Sequence, residues 1–170
     1  MSITPRTQVP GLSLPLVGGG QFELAQSAPK TFTLLVVYRG LHCPICKTYL
    51  RDLDRKLGEF EALGVKTVAA STDTQERAEQ SKAEWGIEHL PIAYGFGIGQ
   101  VRTWGLYISA GIKDGEPPLF AEPGLFLIRP DQTLYAASIQ TMPFARPSFS
   151  DVLAAVKFVT EKDYPARGEA

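Results

Sequence analysis

TFTLLVVY, residues 31–38, runs straight into RGLHCPICK, residues 39–47. The first stretch is a continuous apolar, β-branched run, the pattern of a central strand buried on both faces. The short connection Arg39 to His42 leads into a helix whose apolar residues Ile45, Tyr49, Leu53, Leu57 and Phe60 recur at helical spacing. Pro44 suits the first helical turn, where its missing N–H costs nothing. Gly64 stops the helix.

Working outward, Val65 to Ala70 reads as a second buried strand. Asp73 is a plausible cap for a helix through Trp85, which Gly86 ends. Residues 90–101 are Gly-rich and irregular, with a short helix expected around Gln100 to Trp104. GIKDGEPP, residues 111–118, reads as an exposed loop. Leu125 to Ile128 and Thr133 to Ala137 form a hairpin around an Arg129-Pro130-Asp131-Gln132 turn. Ser148 caps a final helix that carries Val152, Val156 and Phe158. Residues 1–30 are an irregular lead-in with a hairpin at Gly18-Gly19-Gly20. Trp85 and Trp104 read as core, and His89 as a surface or loop residue.

Composition bounds the function classes. The chain has 170 residues, 44% hydrophobic and 21% charged, which is ordinary globular composition. It is expected to form one domain over residues 1–170. A net charge of −1 gives no long-range pull toward nucleic acid or anionic lipid. The most apolar run is far shorter than the roughly 20 residues of a membrane span. The N-terminus has no export-signal pattern, so a cytoplasmic location is expected.

The chemistry concentrates at Cys43 and Cys46. In a reducing compartment such a pair suits redox or metal chemistry rather than a structural staple. A free thiol with a pKa near 8.5 is only about 3% thiolate at pH 7. At a helix N-terminus, unpaired N–H groups and the positive end of the dipole lower that pKa by up to about 1.5 units. Arg39 and His42 would lower it further if they turn inward. The expected range for Cys43 is about 5 to 7. Cys46, one turn on, is within reach to attack an oxidised Cys43. Zinc would need about four ligands, and only His42 and His89 could join the two thiolates. Neither metal nor cofactor is therefore expected.

At these residues the chain resembles the thioredoxin-fold superfamily, with YRGLHCPICK as the active-site stretch. The wider pattern is more similar to the peroxiredoxin-like group, the family of alkyl hydroperoxide reductases and thiol-specific antioxidant proteins. PGLSLPLVGGGQFEL resembles that family's opening. AASTDTQERAEQSKAEWGI, residues 69–87, resembles its strand-then-helix segment with Ser71 and Asp73. PGLFLIRPDQTL, residues 123–134, resembles its late hairpin. The resemblance implies an α/β thioredoxin-like fold: a central mixed β-sheet flanked by helices, with an N-terminal extension. It implies a thiol oxidoreductase of antioxidant type that reduces hydroperoxides, Cys43 as nucleophile and Cys46 as resolving partner. Its partners would be a hydroperoxide and a dithiol reductant of thioredoxin or glutathione type, with a homodimer as one open arrangement. Thiol–disulfide exchange on disulfide substrates and a non-enzymatic redox-sensing module are the alternatives.

Three departures from the family pattern shape the candidate site. The Thr or Ser three residues before the first cysteine is Gly40 here. The distant arginine is missing from Phe120-Ala121-Glu122-Pro123, which leaves Arg39 and Arg146 as the candidate substitutes. The buried acid six residues before the first cysteine in thioredoxins is Val37 here. Pro123 matches the cis-proline that faces the cysteines in thioredoxin folds. The candidate site is therefore Cys43, Cys46, Arg39, His42, Pro123 and Arg146.

Overall fold

In the computed structural model, which describes residues 3–170, the lead-in closes as a hairpin of β1 (Ser13–Pro15) and β2 (Gln21–Glu23). Its turn holds Gly18, Gly19 and Gly20 at φ of +91°, +110° and +81°, a backbone that side chains resist. A short 3₁₀ turn, Leu24–Gln26, follows. The apolar run is β3 (Phe32–Val37), with all six residues buried. Then come α1 (Pro44–Ala62), β4 (Val65–Ala70), α2 (Gln75–Glu84), β5 (Ile92–Ala93), α3 (Ile98–Thr103), β6 (Ile108–Ala110) and β7 (Leu119–Ala121). The chain ends with β8 (Gly124–Ile128), β9 (Leu134–Ile139) and α4 (Phe149–Lys162).

The central sheet runs β5-β4-β3-β8-β9. β3, β4 and β5 are parallel, and β8 and β9 are antiparallel to their neighbours. This is the expected mixed sheet, and side-chain alternation gives it two apolar faces. Phe32, Leu34 and Val36 pack with Leu50, Leu53 and Phe60 of α1 and with Phe149 and Val152 of α4. Leu35 and Val37 face Val101 of α3, Trp104 and Leu14 of the first hairpin. Trp85 and Trp104 are core, as expected, and His89 is exposed. No helix among the described residues is long and apolar enough to cross a membrane.

Several expectations need correction. Thr74 caps α2, its hydroxyl accepting from the Arg77 N–H, while Asp73 turns inward and is buried. The buried face of α1 is Cys46, Leu50, Leu53, Leu57 and Phe60. Ile45 is 40% exposed, and Tyr49 only packs against the core edge. Both phases are apolar along that helix, so periodicity does not choose between them. Phe158 is an exposed residue of α4 that meets the Tyr164 ring. The strands β5, β6 and β7 were not expected. Each has only two or three residues, too few for alternation to register, and each forms by pairing with a remote segment. GIKDGEPP is the exposed connection between β6 and β7.

Pro123 is also corrected: its peptide bond is trans, and no cis bond occurs among the described residues. It stands immediately before β8, where its missing N–H removes no ladder bond and its carbonyl accepts from the Gln140 N–H. The trans form is the favoured one for an X–Pro bond, and an extended strand entry asks for nothing else.

Candidate active site

β3 ends beneath the start of α1, so the loop 38–43 carries the chain from the sheet to the helix N-terminus. Gly40 lies in that loop at φ +131°. A Cβ there would be 2.6 Å from Oδ1 of Asp73. The Asp73 carboxylate accepts the Leu41 N–H at 2.9 Å and pairs with Nε of Arg77 at 3.1 Å. The buried acid therefore occupies the space that a side chain at position 40 would need, which accounts physically for the absent Thr or Ser. In exchange, Asp73 pins the loop that presents Cys43.

Cys43 is the N-cap of α1, and its Sγ accepts the Cys46 N–H at 3.3 Å. Both thiols are free and buried. The Arg146 guanidinium reaches both sulfurs through Nη2, at 3.0 Å from Sγ of Cys46 and 3.8 Å from Sγ of Cys43. Hydrogen bonding from the Cys46 thiol is the largest influence on Cys43. With the Cys46 N–H and the charges of Arg146 and Arg39, it outweighs burial and brings the Cys43 pKa down to about 6. Burial and the neighbouring Cys43 push the Cys46 thiol well up. These influences favour the thiolate on Cys43, at the helix N-terminus, and the proton on Cys46.

The sign of the pH dependence follows. The thiolate is present above the midpoint and lost below it. Alkylation of the reduced protein by limiting iodoacetamide should plateau above about pH 7 and fall about tenfold for each unit below the midpoint. That midpoint is expected near 6. A midpoint at or above about 8.5, the free thiol value, would refute an activated Cys43.

The other expected residues divide. Arg39 does not reach the sulfurs by hydrogen bond. Its Nε stands 3.1 Å from Oε2 of Glu122 and its Nη2 donates to Oε1 at 3.3 Å, while the guanidinium lies over the Phe120 ring. It acts on Cys43 through charge alone. His42 packs edge-on against Phe120 at 4.5 Å, with Nδ1 3.5 Å from Nη2 of Arg77. Burial first, and then the Arg39 charge, hold its pKa below the usual histidine value, so it supplies no positive charge at pH 7. Pro123 lines a small crevice with Tyr49, Gln140 and Arg146.

Sequence reasoning did not single out Glu122 or Tyr49 as members of the site. Glu122 is buried and is held by Ser109 as well as Arg39. An acid between the apolar Ala121 and Pro123 was the available signal. Tyr49 contacts Arg146 by its ring and had no local signature beyond its apolar spacing.

Residues 5–137 match the family model described as AhpC/TSA family. Among solved structures, the chain is similar to a mutant of peroxiredoxin 6 from Arenicola marina, with a TM-score of 0.78 at 18% identity over 95% of this chain and 76% of that one. It is similar to peroxiredoxin Q from Xanthomonas campestris, with a TM-score of 0.69 at 26% identity over 86% of this chain and 90% of that one. Peroxidoxin BcpB from Mycobacterium tuberculosis gives a TM-score of 0.74 at 16% identity over 92% of this chain and 98% of that one. No curated protein sequence matches the chain. Arg146 lies beyond the residues matched by the family model.

Proposed function

Because the chain belongs to the AhpC/TSA family and is a thiol-based peroxidase, we propose that Cys43 attacks the hydroperoxide and Cys46 resolves the product. The Cys43 thiolate displaces the O–O bond: sulfur bonds to the terminal oxygen, and the remaining alkoxide or hydroxide leaves and takes a proton. Cys43 is then a sulfenic acid. The Cys46 sulfur attacks that sulfur, its proton leaves with the displaced hydroxide as water, and a Cys43–Cys46 disulfide forms. Two thiols and one hydroperoxide have given one disulfide, one alcohol or water, and one further water. A cellular dithiol of thioredoxin or glutathione type returns the electrons.

The observation that carries this reading is the Arg146 guanidinium spanning both sulfurs. Its Nη1 is buried and has no hydrogen-bond partner among the described residues. That donor is available to the departing oxygen, where negative charge develops. Arg146 would thus do what the family's distant arginine does, from a different part of the chain. The cytoplasm, whose thiol pools keep such pairs reduced, is the compartment that fits this chemistry. A homodimer is part of the same proposal, and sedimentation of the reduced protein decides it.

Stopped-flow mixing of the reduced protein with hydrogen peroxide and, separately, with a small model disulfide tests the function. One peroxide should be consumed per protein, with loss of both free thiols and a mass decrease of two hydrogens. Faster reaction with the disulfide than with peroxide would favour thiol–disulfide exchange instead.

A further inference from the structure

Arg146 is held in an unusual way. It belongs to the segment between β9 and α4, where Ala145 adopts φ +54° without being glycine. The Arg146 side chain folds back, its Nε donating to the Pro143 carbonyl at 2.7 Å. That contact belongs to the same short segment and does not fix the segment to the rest of the protein. Tyr49 on α1 does. Its ring faces the guanidinium, with Cζ 4.9 Å from the ring centroid. Its hydroxyl donates to the Pro147 carbonyl at 2.6 Å, one residue past Arg146. The ring is itself backed by Phe149, with centroids 4.2 Å apart, and Phe149 is fully buried at the start of α4. Burial raises the phenol pKa above its ordinary value, so the hydroxyl stays a donor at neutral pH.

We infer that Tyr49 is a positioning residue: it clamps Arg146 over Cys43 and Cys46 by stacking on the guanidinium and latching the adjacent backbone. Tyr49 follows Cys46 by three positions on the same helix, so the two project from neighbouring points of one face. The helix that carries the thiols therefore also carries the clamp that brings in the remote arginine. Guanidinium, thiols and clamp stay in register because one rigid element holds two of the three. The inference rests on the reading that Arg146 serves the sulfurs.

The test compares Tyr49→Phe and Tyr49→Leu, each in the wild type and in an Arg146→Ala background. The readouts are the rate constant for hydrogen peroxide and the pH midpoint of Cys43 alkylation, with thermal melts to establish folding. Tyr49→Leu should slow peroxide reduction about tenfold and raise the midpoint, since it removes both the stacked ring and the latch. Tyr49→Phe keeps the ring and should lose about threefold. In the Arg146→Ala background both changes should leave rate and midpoint unaltered, because the residue they act through is gone. Equal losses in the two backgrounds would overturn the inference, as would a Tyr49→Phe protein matching wild type in both readouts where Tyr49→Leu fails to fold. A wild-type rate in Arg146→Ala alone would instead remove the role of the arginine itself, which is a separate failure.

Discussion

Cys43→Ser should reduce the reaction with hydroperoxide to the background rate, whereas Cys46→Ser should react once and stop. The thiolate stands on Cys43 because the helix N-terminus, the Cys46 thiol and two arginines all favour charge there. A serine hydroxyl at position 43 stays protonated near neutrality and is a far weaker nucleophile. Removing the nucleophile of a comparable catalytic unit costs about 10⁶ in rate. In Cys46→Ser the first step survives: the hydroxyl can still donate to Cys43, and the backbone N–H at position 46 is unchanged. The product has no resolving partner, so it should accumulate as a sulfenic acid that a sulfenic-acid reagent traps at one equivalent. Stopped-flow kinetics with intact-protein mass measurement reads both outcomes. Alkylation of Cys46 before Cys43 at pH 6 would reverse the assignment.

Arg146→Ala is the second large effect. Loss of one charge-directed donor from a preorganised site typically costs about 2.7–4 kcal/mol, or about 10²–10³ in rate. The substitution should slow peroxide reduction by about that factor and raise the Cys43 midpoint, because a positive charge beside the thiolate is lost. Exchange with a small disulfide develops no charge on a departing oxygen and should be less impaired. Arg39→Ala should behave differently. Its guanidinium is committed to Glu122, which is only 3% exposed, so the variant leaves a buried carboxylate without its cation. The expected result is a lower melting temperature with a smaller loss of peroxide rate. A peroxide-specific loss in Arg39→Ala with Arg146→Ala unaffected would reassign the donor.

The central strand and the thiol pair were legible early because the signals are local, whereas the mixed sheet was implied only by the family resemblance. A strand buried on both faces must read as an unbroken apolar run, and β3 does. A helix that begins with proline announces its own N-terminus, so Cys43 could be placed at the cap before any tertiary contact was known. The same locality gave Ser148 as the cap of α4, where its hydroxyl accepts from the Asp151 N–H. Short-range signals failed where two solutions had equal pattern. Asp73 and Thr74 are both good caps, and the turn used Thr74 because Asp73 was needed by Leu41, 32 positions away in the chain.

The sequence by itself determined that a strand delivers a cysteine pair to a helix N-terminus, because periodicity, capping and proline chemistry act within a few residues. Only the tertiary structure decided what surrounds the pair. Arg146 meets the sulfurs across 103 and 100 positions, and Arg39 meets Glu122 across 83. Two arginines in one sequence look alike until the fold makes one of them a neighbour of a thiolate and the other the partner of a buried acid. Gly40 is glycine because the Asp73 carboxylate fills the space a Cβ there would need. These choices are set by packing between segments far apart in the chain, and no local spacing encodes them.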